Sequence, residues 1–159
     1  MLVGTHNNVL DEKGRLAVPA KFKTKLGSDV VVRLYNVDCA CLQIYSTSTL
    51  EDIIEKEIGD NMNEFHIRNI TSKYLNATTQ AKIDPQGRLL LPKDKLELLG
   101  IEKEVIVTGC FNHIEVWLPQ AHQEYTEIID EQIQKDYDAV NAEINKDREY
   151  KKAGKYLLD

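Results

Sequence analysis

The same short unit occurs twice in this chain. Asp11-Glu-Lys-Gly14-Arg15-Leu16-Ala-Val18-Pro19 recurs as Asp84-Pro-Gln-Gly87-Arg88-Leu89-Leu-Leu91-Pro92, at an offset of 73 residues. The match continues at that offset through Leu26-Gly27 and Leu99-Gly100, then Val32 and Val105. After a slip of one residue, Leu42-Gln-Ile44-Tyr45 aligns with Ile114-Glu-Val116-Trp117. A match this long and this ordered marks a duplicated unit. In 159 residues it leaves room for one ordinary domain or for two small halves folded together.

Each copy reads alike. An extended segment, about residues 4–10 and 78–83, enters an Asp-x-x-Gly turn. Gly14 and Gly87 supply the positive φ that such a turn needs, and the Asp side chain bonds backbone amides inside it. Short strands Arg15–Val18 and Arg88–Leu91 follow. Pro19 and Pro92 then end the ladder and start a helical turn, capped by Gly27 and Gly100. Two more strands complete each copy: Val30–Leu34 with Cys41–Tyr45, and Val105–Thr108 with Ile114–Leu118. Asn36-Val-Asp38 and Gly109 to Asn112 form the hairpin loops between them.

Helices close both units. Ser48-Thr-Leu-Glu51 reads as a capping box ahead of an apolar face at Leu50, Ile53, Ile54 and Ile58. Gly59-Asp-Asn61 breaks that helix, and a second covers about Asn63–Leu75. Pro119 starts a longer helix on which Tyr125, Ile128, Ile129, Ile133, Tyr137, Val140 and Ile144 recur every three or four residues. That stripe is expected to pack on the sheet strands or on a neighbouring subunit. The expected organisation is a first half at 1–76, a second at 77–145 and a mobile tail at 146–159, the halves intertwined in one domain.

Composition narrows the class. The chain is 42% hydrophobic and 29% charged, as a globular protein is, and no window reaches the roughly 18 apolar residues of a membrane span. The N-terminal residues lack the pattern of a signal peptide, so a cytoplasmic location and no membrane partner are expected. Cys39, Cys41 and Cys110 are too few and too unevenly spaced for a disulfide framework. They are read as small apolar residues in or beside strands, with no metal and no cofactor, although Cys39-Ala-Cys41 with Cys110 and His113 is the one combination that resembles a ligand set.

The net charge of −6 is unevenly spread. Residues 1–118 carry 14 basic and 16 acidic groups, whereas residues 119–149 carry 3 basic and 9 acidic groups. Within the first part, Lys13, Arg15, Lys21, Lys23 and Lys25 follow one another without an acid. Local field rather than net charge decides whether a phosphate backbone is attracted. Around the second turn Asp94 and Glu97 offset Lys93 and Lys95, so that turn is expected to serve assembly more than nucleic-acid contact. Arg15 and Arg88 admit two readings from the residues alone. Each is an ion pair with the aspartate of its own turn, or a protruding fork for phosphate or guanine.

The stretches Leu10-Asp-Glu-Lys-Gly-Arg-Leu-Ala-Val-Pro-Ala-Lys-Phe-Lys23 and Ile83-Asp-Pro-Gln-Gly-Arg-Leu-Leu-Leu-Pro92 resemble the two signatures of the MraZ family. Gly109 to Trp117 resembles the strand that follows the second. The resemblance spans about residues 1–120. It implies an α+β fold: a duplicated swapped-hairpin, AbrB-like β-barrel with peripheral helices, assembled into ring-like homo-oligomers. It also implies a regulator, most simply a repressor, associated with the nucleoid. Its partner is double-stranded DNA with short direct repeats, in the promoter of the division and cell-wall gene cluster that includes its own gene. The family's DNA-contacting motif maps onto Asp11 with Arg15 and Asp84 with Arg88. Lys13, Gly14, Gln86 and Gly87 lie inside the turns, Lys21, Lys23 and Lys25 lie beside the first, and the two aspartates orient them. Three positions depart from the pattern. Lys23, and Lys73 before the second unit, stand where the family usually has arginine, and Val3 replaces a common aromatic.

The residues bear on three other classes. An oligomeric interaction protein without DNA binding would use the barrel and the acidic helix. An enzyme is poorly supported, because His6, His66, His113 and His122 have no spaced nucleophile and no phosphate-cradling glycine loop occurs. His6 and His113 are instead expected to be satisfied locally. RNA binding is disfavoured by the few aromatics available for base stacking.

Overall fold

Short apolar alternations separated by glycine and proline turns give strands, and the 3.6-residue stripes give helices. The computed structural model describes residues 1–37, 39–60 and 62–154. Asp38, Asn61 and 155–159, within the first hairpin loop, the break between helices and the tail of the sequence reading, lie outside the described residues. The first copy contains β1 (Leu2–Val9), β2 (Arg15–Ala17), α1 (Ala20–Leu26), β3 (Asp29–Tyr35) and β4 (Cys41–Ser46). Helices α2 (Thr47–Ile58) and α3 (Glu64–Leu75) follow. The second copy contains β5 (Thr78–Lys82), β6 (Arg88–Leu90), α4 (Lys93–Leu99), β7 (Glu104–Phe111) and β8 (Ile114–Trp117), and α5 runs from Pro119 to Lys152.

All the strand pairs are antiparallel, and most of them join one copy to the other. The larger sheet has the order β1-β7-β8-β4-β3-β5, and β2 pairs with β6 in a separate two-stranded ribbon. Exchanging each strand for its counterpart in the other copy reverses the six-strand order onto itself. Each β-hairpin thus receives the leading strand of the opposite copy: β1 lies on β7, and β5 lies on β3. The sheet does not close into a barrel; β1 and β5 are its edges.

Both copies feed one core. Leu16, Val18, Phe22, Leu26, Val32, Leu42 and Ile44 pack with Ile83, Leu89, Leu91, Leu96, Val105, Val107, Ile114 and Val116. A second cluster, Val31, Tyr45 and Leu50 with Ile53, Ile54 and Tyr74, seats α2 and α3. Gly109 belongs to β7 for a steric reason. A Cβ there would lie 2.5 Å from the amide nitrogen of Val3 on β1.

Two helix ends, the start of α2 and the end of α5, differ from expectation. The N-cap of α2 is Ser46, whose Oγ accepts from the amide of Thr49 at 3.2 Å, so the helix begins before the expected Ser48 box. Strand β4 runs directly into the helix, which leaves no loop for the later serine to cap. Asn63 caps α3 by accepting from the amide of His66 at 2.9 Å. Helix α5 continues to Lys152, past residue 145 where the apolar stripe ends, because the exposed Lys/Asp/Glu/Arg run after it still favours helix. The chain comprises two compact units, Met1–His122 and the part from Gln123 onward. In the second unit Ile128, Ile133, Tyr137, Val140 and Ile144 are all exposed.

Candidate nucleic-acid interface

The two Asp-x-x-Gly turns are built alike. In the first, Oδ1 of Asp11 accepts from the amides of Lys13 at 2.9 Å and Arg15 at 2.8 Å, while the Gly14 amide donates to the Asp11 carbonyl at 3.0 Å. In the second, Oδ1 of Asp84 accepts from the amides of Gln86 and Arg88, both at 2.9 Å, and the Gly87 amide donates to the Asp84 carbonyl at 2.9 Å. The predicted left-handed glycines are there: φ is +78° at Gly14 and +82° at Gly87. Hydrogen bonds to a carboxylate favour its charged form. The Arg15 amide, helped by the Arg15 side chain and the Lys13 amide, holds the Asp11 carboxyl below its ordinary range. The Arg88 and Gln86 amides do the same for Asp84.

The turns are also tied to each other. Val18 donates its amide to the Gly87 carbonyl at 2.8 Å, and Leu91 donates to the Gly14 carbonyl at 3.2 Å. Between these bonds runs the β2–β6 ribbon, with Arg15 opposite Leu90, Leu16 opposite Leu89 and Ala17 opposite Arg88. Successive side chains in a strand face opposite ways. Leu16 and Leu89 are fully buried, so Arg15, Ala17, Arg88 and Leu90 share the outer face. The two arginines stand diagonally across that face, related by the pseudo-two-fold of the duplication.

The ion pair with the turn's own aspartate is formed in both copies. Nε of Arg15 lies 2.6 Å from Oδ2 of Asp11, and Nε of Arg88 lies 3.5 Å from Oδ2 of Asp84. Both side chains are about one-third exposed. They are therefore braced against their own turns rather than protruding freely. Only the first brace is a hydrogen bond, engaging one of the five guanidinium donors of Arg15; Nε of Arg88 is buried without a hydrogen-bond partner among the described residues.

The basic stretch of the first copy does not stay together. Lys13 remains on the first turn, exposed. Lys23 crosses over: its Nζ donates to the Pro85 carbonyl at 3.1 Å, and its Cδ lies 3.6 Å from where a Cβ on Gly87 would stand. Lys21 places Nζ 5.3 Å from the Phe22 ring centroid, above Gly4. Lys25 donates to the Met1 carbonyl. At the first turn the residue over Gly14 is Leu96, and Lys93 and Glu97 line the same groove as Asp11 and Lys13. The order along the chain therefore hides one charge at the second turn, that of Lys23. Lys23 of α1 thus stands at the second turn, and Leu96, Lys93 and Glu97 of α4 stand at the first.

One expectation needs correction. Nε2 of His6 is buried without a hydrogen-bond partner among the described residues, its ring edge-on to Phe22 at 5.3 Å, so His6 is held by packing and not by a local polar partner. Leu90 was missed. It is 59% exposed on the ribbon's outer face, and only the β2–β6 register distinguishes it from the buried leucines on either side.

A family model described as "MraZ protein, putative antitoxin-like" matches residues 1–70 and 74–143. Among curated relatives, a protein named transcriptional regulator MraZ from Thermoanaerobacter pseudethanolicus is 33% identical over 144 residues, covering 89% of this chain and 99% of that protein. One of the same name from Caldanaerobacter subterraneus subsp. tengcongensis is 33% identical over 132 residues, 82% of this chain and 90% of the relative. Another, from Symbiobacterium thermophilum, is 31% identical over 125 residues, 79% and 89% respectively. Among the described residues no helix is long and apolar enough to cross a membrane.

Proposed function

This chain belongs to the MraZ family, and from that premise we propose that it is a sequence-specific DNA-binding transcription regulator whose β2–β6 ribbon enters the major groove. The major groove admits a two-stranded antiparallel ribbon as well as a helix, and base identity is read there by guanidinium forks and by apolar contact with the thymine methyl. The carrying observation is the outer face of the ribbon, where Arg15 and Arg88 stand diagonally with Ala17 and Leu90 between them. Its near-two-fold arrangement matches the near-two-fold symmetry of duplex DNA. Arg15 and Arg88 bind base edges or phosphates. Lys13, Lys21, Lys23, Lys25 and Gln86 contact the backbone around them, Gly14 and Gly87 let the turns approach it closely, and Asp11 and Asp84 orient the arginines.

The strand exchange between copies supports the finer fold reading, a duplicated swapped-hairpin domain made of 1–76 and 77–145. Family membership and the exposed stripe on α5 support a homo-oligomer, ring-like, that engages several short direct repeats in phase. Linked weak sites gain ~10²–10⁴-fold in avidity. The targets proposed are the promoter repeats of the division and cell-wall gene cluster, including the chain's own gene, with repression by occlusion of polymerase in the nucleoid. The stripe also favours one rival, an oligomeric interaction module that binds no DNA.

Methylation interference separates these readings. Methylating guanine N7 in the major groove should block binding, whereas alkylating adenine N3 in the minor groove should not. Insensitivity to both, or sensitivity in the minor groove alone, would overturn the ribbon placement.

A further inference from the structure

Outside the ribbon, three chemically distinct side chains converge on the β7–β8 hairpin. The Sγ of Cys110, a ring nitrogen of His113 and a carboxylate oxygen of Glu115 all lie within 4.8 Å of one another. We propose that they form a binding site for a divalent transition-metal ion of the zinc type, with Cys110, His113 and Glu115 as its protein ligands. A tetrahedral zinc ion with ligands at roughly 2.0–2.3 Å sets neighbouring ligand atoms roughly 3.3–3.8 Å apart, so a small closure of the hairpin suffices. A thiolate, an imidazole and a carboxylate form a donor set that suits zinc better than calcium or magnesium.

The local backbone is built for this. Cys110 and His113 flank a tight turn, in which the Cys110 amide donates to the His113 carbonyl at 2.8 Å and the Asn112 amide donates to the Cys110 carbonyl at 2.9 Å. The turn requires φ of +72° at Phe111, the one non-glycine residue with positive φ among those described. A bulky side chain in that region is costly, and such strain concentrates where a site is being shaped. Strand alternation then puts His113 and Glu115 on one face of β8, with the buried Ile114 on the other.

Two of the three ligands, His113 and Glu115, are oriented by further residues, as metal ligands are. Nδ1 of His113 lies 2.8 Å from Oδ1 of Asn112. With Asn112 accepting from Nδ1, Nε2 is the atom left for an ion, which would take the place of the proton shared with Oε2 of Glu115 at 3.0 Å. Tyr45 stacks on the imidazole, with centroids 4.6 Å apart and planes at 15°. One oxygen of Glu115 accepts from Nε1 of Trp117 at 3.2 Å, and the other from Nε2 of Gln43 at 3.4 Å. The side chains of His113 and Glu115 are only 13% and 15% exposed. Burial first, and Glu115 second, push the Cys110 thiol up to about 12, and the buried Cys41 nearby is raised for the same reasons. A bound cation reverses that balance, because it favours the thiolate it coordinates.

Cobalt titration of the chelator-treated, reduced full-length chain tests the site. One equivalent of Co²⁺ should produce a thiolate-to-cobalt charge-transfer band and tetrahedral d–d bands, and Zn²⁺ should displace both. Cys110→Ser should abolish the charge-transfer band, while Cys39→Ser should leave it unchanged. His113→Gln should weaken binding by at least the roughly 10–100-fold lost when a mere outer-shell partner is removed. Absence of the bands overturns the proposal, as does a charge-transfer band that survives Cys110→Ser. If Cys110→Ser lacks the wild-type circular dichroism spectrum, His113→Gln decides: unchanged affinity overturns the assignment.

Discussion

Asp11 and Asp84 hold their turns through the same three contacts, two amides on Oδ1 and the following arginine on Oδ2. Replacement by alanine removes all three, and replacement by asparagine keeps an acceptor for the amides but loses the ion pair. Thermal unfolding should therefore rank wild type above Asp84→Asn, and Asp84→Ala below both. Both carboxyls titrate below their ordinary value in the folded chain. Their contribution is therefore complete above the unfolded-state carboxylate range and is lost as the pH falls through the lowered folded value. A melting-temperature series should show that acid-side loss shrink in the Asp11→Asn, Asp84→Asn double variant. At Gly14 and Gly87 a Cβ would meet neighbours only at ordinary van der Waals distance, so the backbone alone sets the cost of substitution. Gly14→Ala or Gly87→Ala should cost about 1–2 kcal/mol in urea unfolding.

The ribbon is the element that joins core to candidate surface. Leu16 and Leu89 are fully buried beneath it, so Leu16→Ala or Leu89→Ala should cost about 2–5 kcal/mol in urea unfolding. Leu90→Ser, one residue away on the exposed face, should change stability by less than about 0.5 kcal/mol yet alter DNA selectivity. This division shows how far the sequence could be read. The Asp-x-x-Gly turns, the proline-started helices and the hairpins were legible because each depends on residues a few positions apart. The pairing of β2 with β6 was not, since three-residue strands have almost no pattern and their partners lie 71 to 75 positions away. The position of Lys23 was hidden for the same reason, because it reaches Pro85 across the exchange of halves. Arg15 and Arg88 were identifiable by repetition, but their bracing against the aspartates is visible only in three dimensions. Glu115 escaped notice because nothing near it in sequence marks it as the acceptor for Trp117, Gln43 and His113.

Over the whole molecule, duplication makes the two turns equivalent in backbone, and packing makes them unequal in charge. With Lys23 at the second turn and Lys25 on Met1, Lys23→Ala should weaken DNA binding more than Lys25→Ala. It should also lower the slope of log affinity against log salt by about one. The apolar stripe on the 34-residue α5 is suited to contact between copies. Ile133→Asp with Val140→Asp should reduce assembly size in sedimentation while the β-sheet circular dichroism signal is retained. The account stands or falls on DNA recognition by the two arginines. Its most direct test is fluorescence-anisotropy binding to the DNA upstream of the chain's own gene, across a salt series, with scrambled DNA and the Arg15→Ala and Arg88→Ala variants alongside. The account predicts selective binding that falls with salt and loses roughly 1–3 kcal/mol with each substitution. Equal affinity for scrambled DNA, or unchanged binding by both variants, would contradict it.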